Sequence, residues 1–275
     1  MTSRDEGRGL AAVDLLRRDY GLRNIVAAVL DLEDPQSIVT FCRQCLKAYG
    51  EPSLLVNNAG LCLPGNDPGT YTRSLAANCL GPWWMAQGLG LIPEGPLSVQ
   101  GARRWHRGIV INVSSGDGEL VCLHSALATA FRGCDDPSDV LALVSQSKCK
   151  FSLLARPRDP RMLRRADGSL AGTLWSLLDQ GVEVAVGPTP AYAVSKAALN
   201  ALTRTSPAGG SLVVAVCPGD VTGTAMHNYV ASSSNSWDRS PSEAAHDVLW
   251  VIEEAAALSM VQHGKFYRFR EPIAF

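Results

Sequence analysis

The chain has almost no net charge to offer a partner. Its 25 Lys and Arg are balanced by 26 Asp and Glu, a formal charge of −1, which leaves no electrostatic case for binding nucleic acid or an anionic membrane surface. Long hydrophobic runs are missing as well. The richest segment, around Trp250, is interrupted by Glu253 and Glu254, and no stretch approaches the ~18 apolar residues a membrane helix needs. The opening MTSRDEGRG lacks the apolar centre of a signal peptide. Eight cysteines are scattered without framework spacing, as expected of reduced thiols in a cytoplasmic protein. Cys42 and Cys45 form a C-x-x-C with no second pair or nearby histidine, so structural thiols are expected rather than a metal site. No internal repeat is visible. What remains is 275 residues, 46% hydrophobic and 19% charged, a composition that suits one α/β domain with a sizeable core.

Short apolar strand candidates alternate with helical patterns, the signature of a parallel sheet with crossover helices. Leu10, Val13, Leu16 and Leu22 recur at helical spacing, with Ser3 as the expected cap. Strands are expected at Asn24 to Leu30, Ser53 to Val56, Ile109 to Val113, Leu212 to Val216 and Lys265 to Tyr267. Helices are expected at Pro35 to Tyr49, Tyr71 to Leu89, Tyr192 to Thr203 and Pro241 to Leu258. From about 116 to 190 the chain is polar, with helical stretches and no clear strand. That segment includes five arginines between Arg156 and Arg165, read as a solvated loop.

The most informative residues are YAVSK, Tyr192 to Lys196. A phenol and an ammonium four positions apart share one helix face, roughly 5–6 Å apart at Cβ. A fixed positive neighbour favours the phenolate and draws the Tyr192 pKa down from its ordinary ~10, which suits a general acid. Other polar motifs fall where the strand pattern ends. NNAG (Asn57 to Gly60) follows one strand, NVSS (Asn112 to Ser115) closes the next, and PGDV (Pro218 to Val221) closes the one after Tyr192. Asn78 lies in the helix between the first two. In an open α/β sheet, ligands bind beyond the carboxyl ends of the strands, so these positions converge on one site.

In this order the motifs resemble the short-chain dehydrogenase/reductase family. The resemblance implies a Rossmann-like doubly wound parallel sheet, a single domain over residues 1–275 with a long insertion at about 116–190. It implies that Ser115 hydrogen-bonds a substrate carbonyl and Tyr192 passes it a proton. Lys196 would hold the nicotinamide ribose and lower the tyrosine pKa, and Asn78 would position a water in the proton relay. Asn58, Ala59 and Gly60 would approach the cofactor, as would Pro218, Gly219 and Val221. Asp31 matches the family's adenine-side acid, or is an ordinary helix-capping aspartate. Arg4 stands where members that prefer NADP carry a basic residue able to grip the 2′-phosphate, so NADPH is expected before NAD. The long interval between Ser115 and Tyr192 and the ending GKFYRFREPIAF are similar to the carbonyl reductases, which implies a monomer reducing a small carbonyl compound. Its pocket would be lined by the insertion with Met226, His227 and Trp237.

One departure is large. No T-G-x-x-x-G-x-G occurs in the sequence, so the family's first strand, glycine loop and first helix are expected to be missing, Met1 being read as an internal methionine. That leaves two readings: an NADPH-dependent carbonyl reductase, or a non-catalytic remnant or binding protein of the same fold.

Overall fold

The computed structural model describes residues 1–93, 108–145, 173–208, 210–224, 226 and 238–275. A five-stranded sheet forms the centre. Strands β3 (Leu54–Asn57), β4 (Ile109–Val113), β5 (Leu212–Cys217) and β8 (Phe266–Arg268) run parallel in that order, and β9 (Glu271–Ile273) closes it antiparallel. β4 and β5 read as nearly continuous apolar runs because both faces are covered. Ile111, Val113, Val214 and Val216 face one layer with Val251 and Ala255, from the helix Pro241–Ala256, here α9. Val110 and Val213 face the larger core. That core includes helices α2 (Pro35–Tyr49), α4 (Gly81–Gly88) and α8 (Pro190–Thr205), with Trp84, Tyr71 and Phe131 fully buried.

The long helical stretch expected after NNAG is three pieces in succession. α3 (Pro68–Leu75) passes into a π turn at Ala76–Leu80 and then into α4. α1 (Glu6–Tyr20) is capped by Asp5, which accepts the Arg8 N–H at 2.7 Å. Ser3 is not that cap; it belongs to a strand, and Leu22 lies past the helix end at Gly21. The expected strand at Asn24 to Leu30 narrows to β2 (Ala28–Val29), because its described partner β1 (Thr2–Ser3) offers only two residues. Within the insertion, α5 (Ser125–Arg132), α6 (Pro137–Val144) and α7 (Thr173–Asp179) are helical. The arginine run lies outside the described residues.

Among the described residues β1 and β2 form a sheet of their own, and β3 has a neighbour on one side only. Leu54 and Val56 on β3 are 38% and 37% exposed, although they belong to a strand of the central sheet. An apolar edge strand is a template for pairing with other chains. The 275-residue chain is therefore expected to self-associate at micromolar concentration, and Val56→Lys to shift it toward monomer in sedimentation velocity. A parent chain already monomeric there would contradict this account of β3.

Candidate active site

The motifs meet beyond the carboxyl end of β4, against the first turns of α8. Lys196, buried, donates from Nζ to the carbonyl oxygen of Val113 at 2.8 Å, and Nζ lies 5.6 Å from the Tyr192 ring centroid. Ser115 caps a 3₁₀ turn at Gly116–Gly118, accepting the Asp117 N–H at 3.2 Å, and its hydroxyl lies near enough to the Tyr192 phenol to act against the rise in the phenol's pKa. Ser114 is turned away, donating to the Lys196 carbonyl at 3.5 Å. The strand-end hydroxyl at Tyr192 is thus that of Ser115.

Two motif asparagines hold this frame and sit inside it. Asn57 donates to Asn112 Oδ1 at 2.9 Å, and Asn112 donates to Thr203 Oγ1 at 2.9 Å. The chain of bonds ties β3, β4 and α8 together, and both asparagines are buried, where paired amides are required to offset lost hydration. Asn78 serves the neighbouring loop. Its Oδ1 accepts the Leu61 N–H at 2.8 Å, and its Nδ2 donates to the Leu61 carbonyl at 2.8 Å and to Ser195 Oγ at 3.0 Å. The expected water-positioning role does not fit this side chain, because both N–H groups are committed. The π turn around it is the kind of helix irregularity that gathers at functional sites.

The electrostatics reverse one expectation. Burial raises the Tyr192 pKa above its ordinary value, and the Ser115 hydroxyl only partly counters it. Lys196 does not lower it, because the same burial depresses the lysine to about 8. Spacing alone predicted the cation's effect; desolvation of both partners outweighs it. Two groups at the site carried no sequence motif. The Asp117 carboxyl is raised by burial and then by Asp220 and Glu119, and burial likewise raises the Cys62 thiol. No signal short of the folded neighbourhood marks either.

A cleft of about 180 Å³ joins the carboxyl ends of β1, β2 and β3 and is lined by Arg4, Asp31, Ala59 and Gly60 among others. Asp31 is no helix cap: Asp34 caps α2, while Asp31 accepts the Glu33 N–H at 2.9 Å. Arg4 pairs with Glu33 at 3.1 Å, which also holds Arg73 at 2.8 Å. Asn58 is exposed beside this cleft's loop. At Gly60 a Cβ would fall 3.1 Å from Asn78 Oδ1 and 3.5 Å from Lys196 Nζ, so the bare backbone at the edge of the cleft packs closely against Asn78 and Lys196. These residues fit the two ends of a nicotinamide dinucleotide; the sequence supplies no glycine-rich loop for the pyrophosphate between them. Pro218 and Val221 flank Gly219, whose φ is 79°. Its bareness serves the chain itself: a Cβ would meet Arg239 Cδ at 2.9 Å. Met226 is exposed, whereas His227 and Trp237 lie outside the described residues. Among the described residues no cluster of His, Cys, Asp and Glu could hold a metal, and no helix is long and apolar enough to cross a membrane.

No protein-family model matches the chain. Over 63 residues it is 38% identical to a (+)-neomenthol dehydrogenase of Arabidopsis thaliana, covering 22% of this chain and 21% of that protein. Over 68 residues it is 44% identical to carbonyl reductase [NADPH] 3 of Mus musculus, covering 25% and 24%. The matched segments thus span about a fifth to a quarter of those relatives. The fold is similar to an NADPH-bound carbonyl reductase from chicken fatty liver, with a TM-score of 0.57 and 20% identity over 100% of this chain and 86% of that one. It is similar also to salutaridine reductase from Papaver somniferum, TM-score 0.61 and 21% identity over 97% and 89%.

Lys196 gives a pH test. Its folded pKa of about 8 lies below the unfolded ~10.4, so between these values the unfolded chain holds more protons and stability rises with pH. Lys196→Met removes that rise. In denaturant melts the parent should gain on the variant by on the order of 2 kcal/mol between pH 7 and 10. A difference independent of pH would show that Lys196 is not depressed.

Proposed function

We propose that the chain is a carbonyl-reductase-like member of the short-chain dehydrogenase/reductase family and reduces ketones or aldehydes to alcohols with NADPH, a reading supported by the partial matches to a neomenthol dehydrogenase and a carbonyl reductase and by the likeness of fold. The observation that carries the proposal is the gathering of Ser115, Tyr192 and buried Lys196 at the end of β4, with Gly60 standing between Lys196 and the cleft that holds Arg4 and Asp31. A bound NADPH would supply the hydride. As negative charge grows on the carbonyl oxygen, the Ser115 hydroxyl donates a hydrogen bond to it and the Tyr192 phenol delivers the proton, where such donors lower the barrier most. The raised phenol pKa keeps Tyr192 protonated at neutral pH, ready to donate. Lys196 holds the ribose side and Asn78 the Leu61 loop beside it, Asn58, Ala59 and Gly60 the adjoining backbone, Asp31 the adenine side, and Pro218, Gly219 and Val221 the nicotinamide side.

We read residues 1–275 as one nucleotide-binding domain of a cytoplasmic protein that does not dimerise through α8. That helix is buried along nearly its whole length, and α5 and α6 of the insertion lie against it, which leaves the edge strand β3 as the surface for self-association. A specific observation favours a second reading: with no T-G-x-x-x-G-x-G in the sequence and β3 bonded on one side only among the described residues, the chain is a binding protein of this fold with weak hold on the cofactor.

Turnover of a ketone and aldehyde panel at millimolar NADPH separates the two. Tyr192→Phe should lower it by about 10²–10⁴-fold with little change in cofactor binding. A variant as active as the parent would discard the assignment, and a parent without turnover would favour the binding protein. For the cofactor, Arg4→Ala should weaken NADPH more than NADH by about 1.5–3 kcal/mol, the loss of a charge-assisted bond. Equal losses in a titration would leave Arg4 as a partner of Glu33 alone.

A further inference from the structure

Of the three non-glycine residues with positive φ among the described residues, Leu258 follows α9 and the other two lie in the last hairpin. Phe269 and Arg270, the two residues joining β8 to β9, have φ of 53° and 68°. Asn-Gly closes such a turn with least strain, whereas a bulky side chain in this region is unfavourable. Strained residues persist where neighbouring contacts over-determine them, and they gather at functional sites. Here the contacts are specific. The Arg239 guanidinium lies 5.0 Å from the Phe269 ring centroid, and Arg239 and Arg270 share the buried Asp247 carboxylate, Arg270 at 3.2 Å.

Two turns rest on this hairpin, the one Ser115 begins and the Gly219 turn, which follows Cys217 near Tyr192. On one side, the Gly219 turn packs directly against the stacked pair, since a Cβ there would stand 2.9 Å from Arg239 Cδ and 3.3 Å from Phe269 Cε1. The Arg239 carbonyl also accepts the Thr222 N–H at 2.9 Å. On the other side, Arg268 donates to Glu119 Oε1 at 2.6 Å. Glu119 ends the 3₁₀ turn that Ser115 begins, and its N–H is bonded to the Gly116 carbonyl at 2.9 Å.

We propose that the Arg268–Phe269–Arg270 turn is a clamp that positions the Ser115 turn through Glu119 and the Gly219 turn through Arg239, fixing their separation near Tyr192. Arg268 and Phe269 are positioning residues, acting through others. The proposal rests on the reading of Ser115 and Tyr192 as the reaction centre. It explains why a ring and a guanidinium occupy positions where the backbone favours small residues.

The test compares Arg268→Met, Arg268→Lys and Phe269→Asn, the last keeping a residue that tolerates positive φ while removing the ring. Melting temperature, kcat, KM for NADPH and amide hydrogen exchange at residues 115–119 and 218–222 are read for each. Arg268→Met and Phe269→Asn should melt close to the parent and lose about 10- to 100-fold in kcat as expected of misplaced reacting groups; Arg268→Met should leave KM for NADPH unchanged, whereas Phe269→Asn should raise it, because the Gly219 turn it holds faces the cofactor. Each should speed exchange at the loop it holds, and Arg268→Lys should recover part of the loss. Parental kcat with parental exchange overturns the clamp. If the parent itself shows no turnover, the reductase reading fails and exchange alone decides: faster exchange at the two loops upholds the clamp, and unchanged exchange overturns it. Should Arg268→Met or Phe269→Asn fail to fold, Arg268→Lys with slower turnover at parental stability upholds it, and parental turnover overturns it.

Discussion

The seating of α8 across the end of β4 is the constraint on which the site depends. Four bonds at different heights make it: Lys196 Nζ to Val113, Ser114 to the Lys196 carbonyl, Asn112 to Thr203, and Asn200 to Gly118 at 3.4 Å. Each joins a strand-end or turn residue to the helix, and each is buried, so breaking one leaves a polar group without water to replace its partner. Together they fix which face of α8 meets the strand. The face that remains above the strand end carries Tyr192, and the 3₁₀ turn brings Ser115 to it.

The same burial that secures this junction sets its proton chemistry. A phenol and an ammonium withdrawn from water both shift toward their neutral forms, and here the tyrosine rises while the lysine falls to about 8. The reacting end is therefore built from the chain's own groups. The opposite end differs: β1 and β2 stand as a separate sheet, and a cleft occupies the place between their carboxyl ends and that of β3. The site joins a tightly bonded half to an open one, with bare Gly60 between.

Much of this was legible in the residues because polar motifs at the ends of apolar runs stand out against a composition rich in alternating strands and helices. NNAG, NVSS, YAVSK and PGDV mark the ends of β3, β4 and β5 and the start of α8, and their order carried the parallel sheet. What each polar atom does was less visible. Asn57 and Asn112 lie in the motifs yet bond each other, and the Asn78 amide is used on Leu61 and Ser195; such pairings join residues distant in sequence, and spacing is silent on them. The Tyr192 shift went the other way from its neighbour's charge because burial is a property of the packed fold. Ser3 looked like the cap of α1, but Asp5 lies nearer the first turn and accepts its N–H. The strain at Phe269 and Arg270 left no trace in the sequence at all.

The central claim is that Ser115 and Tyr192 act as one proton-donating unit on a carbonyl oxygen. Groups that act as a unit are non-additive when removed, so the most direct measurement is a double-mutant cycle of Ser115→Ala and Tyr192→Phe on kcat/KM for ketone reduction. The account predicts that the double variant is no more than about threefold slower than Tyr192→Phe alone. Losses that multiply would show two independent groups and contradict it.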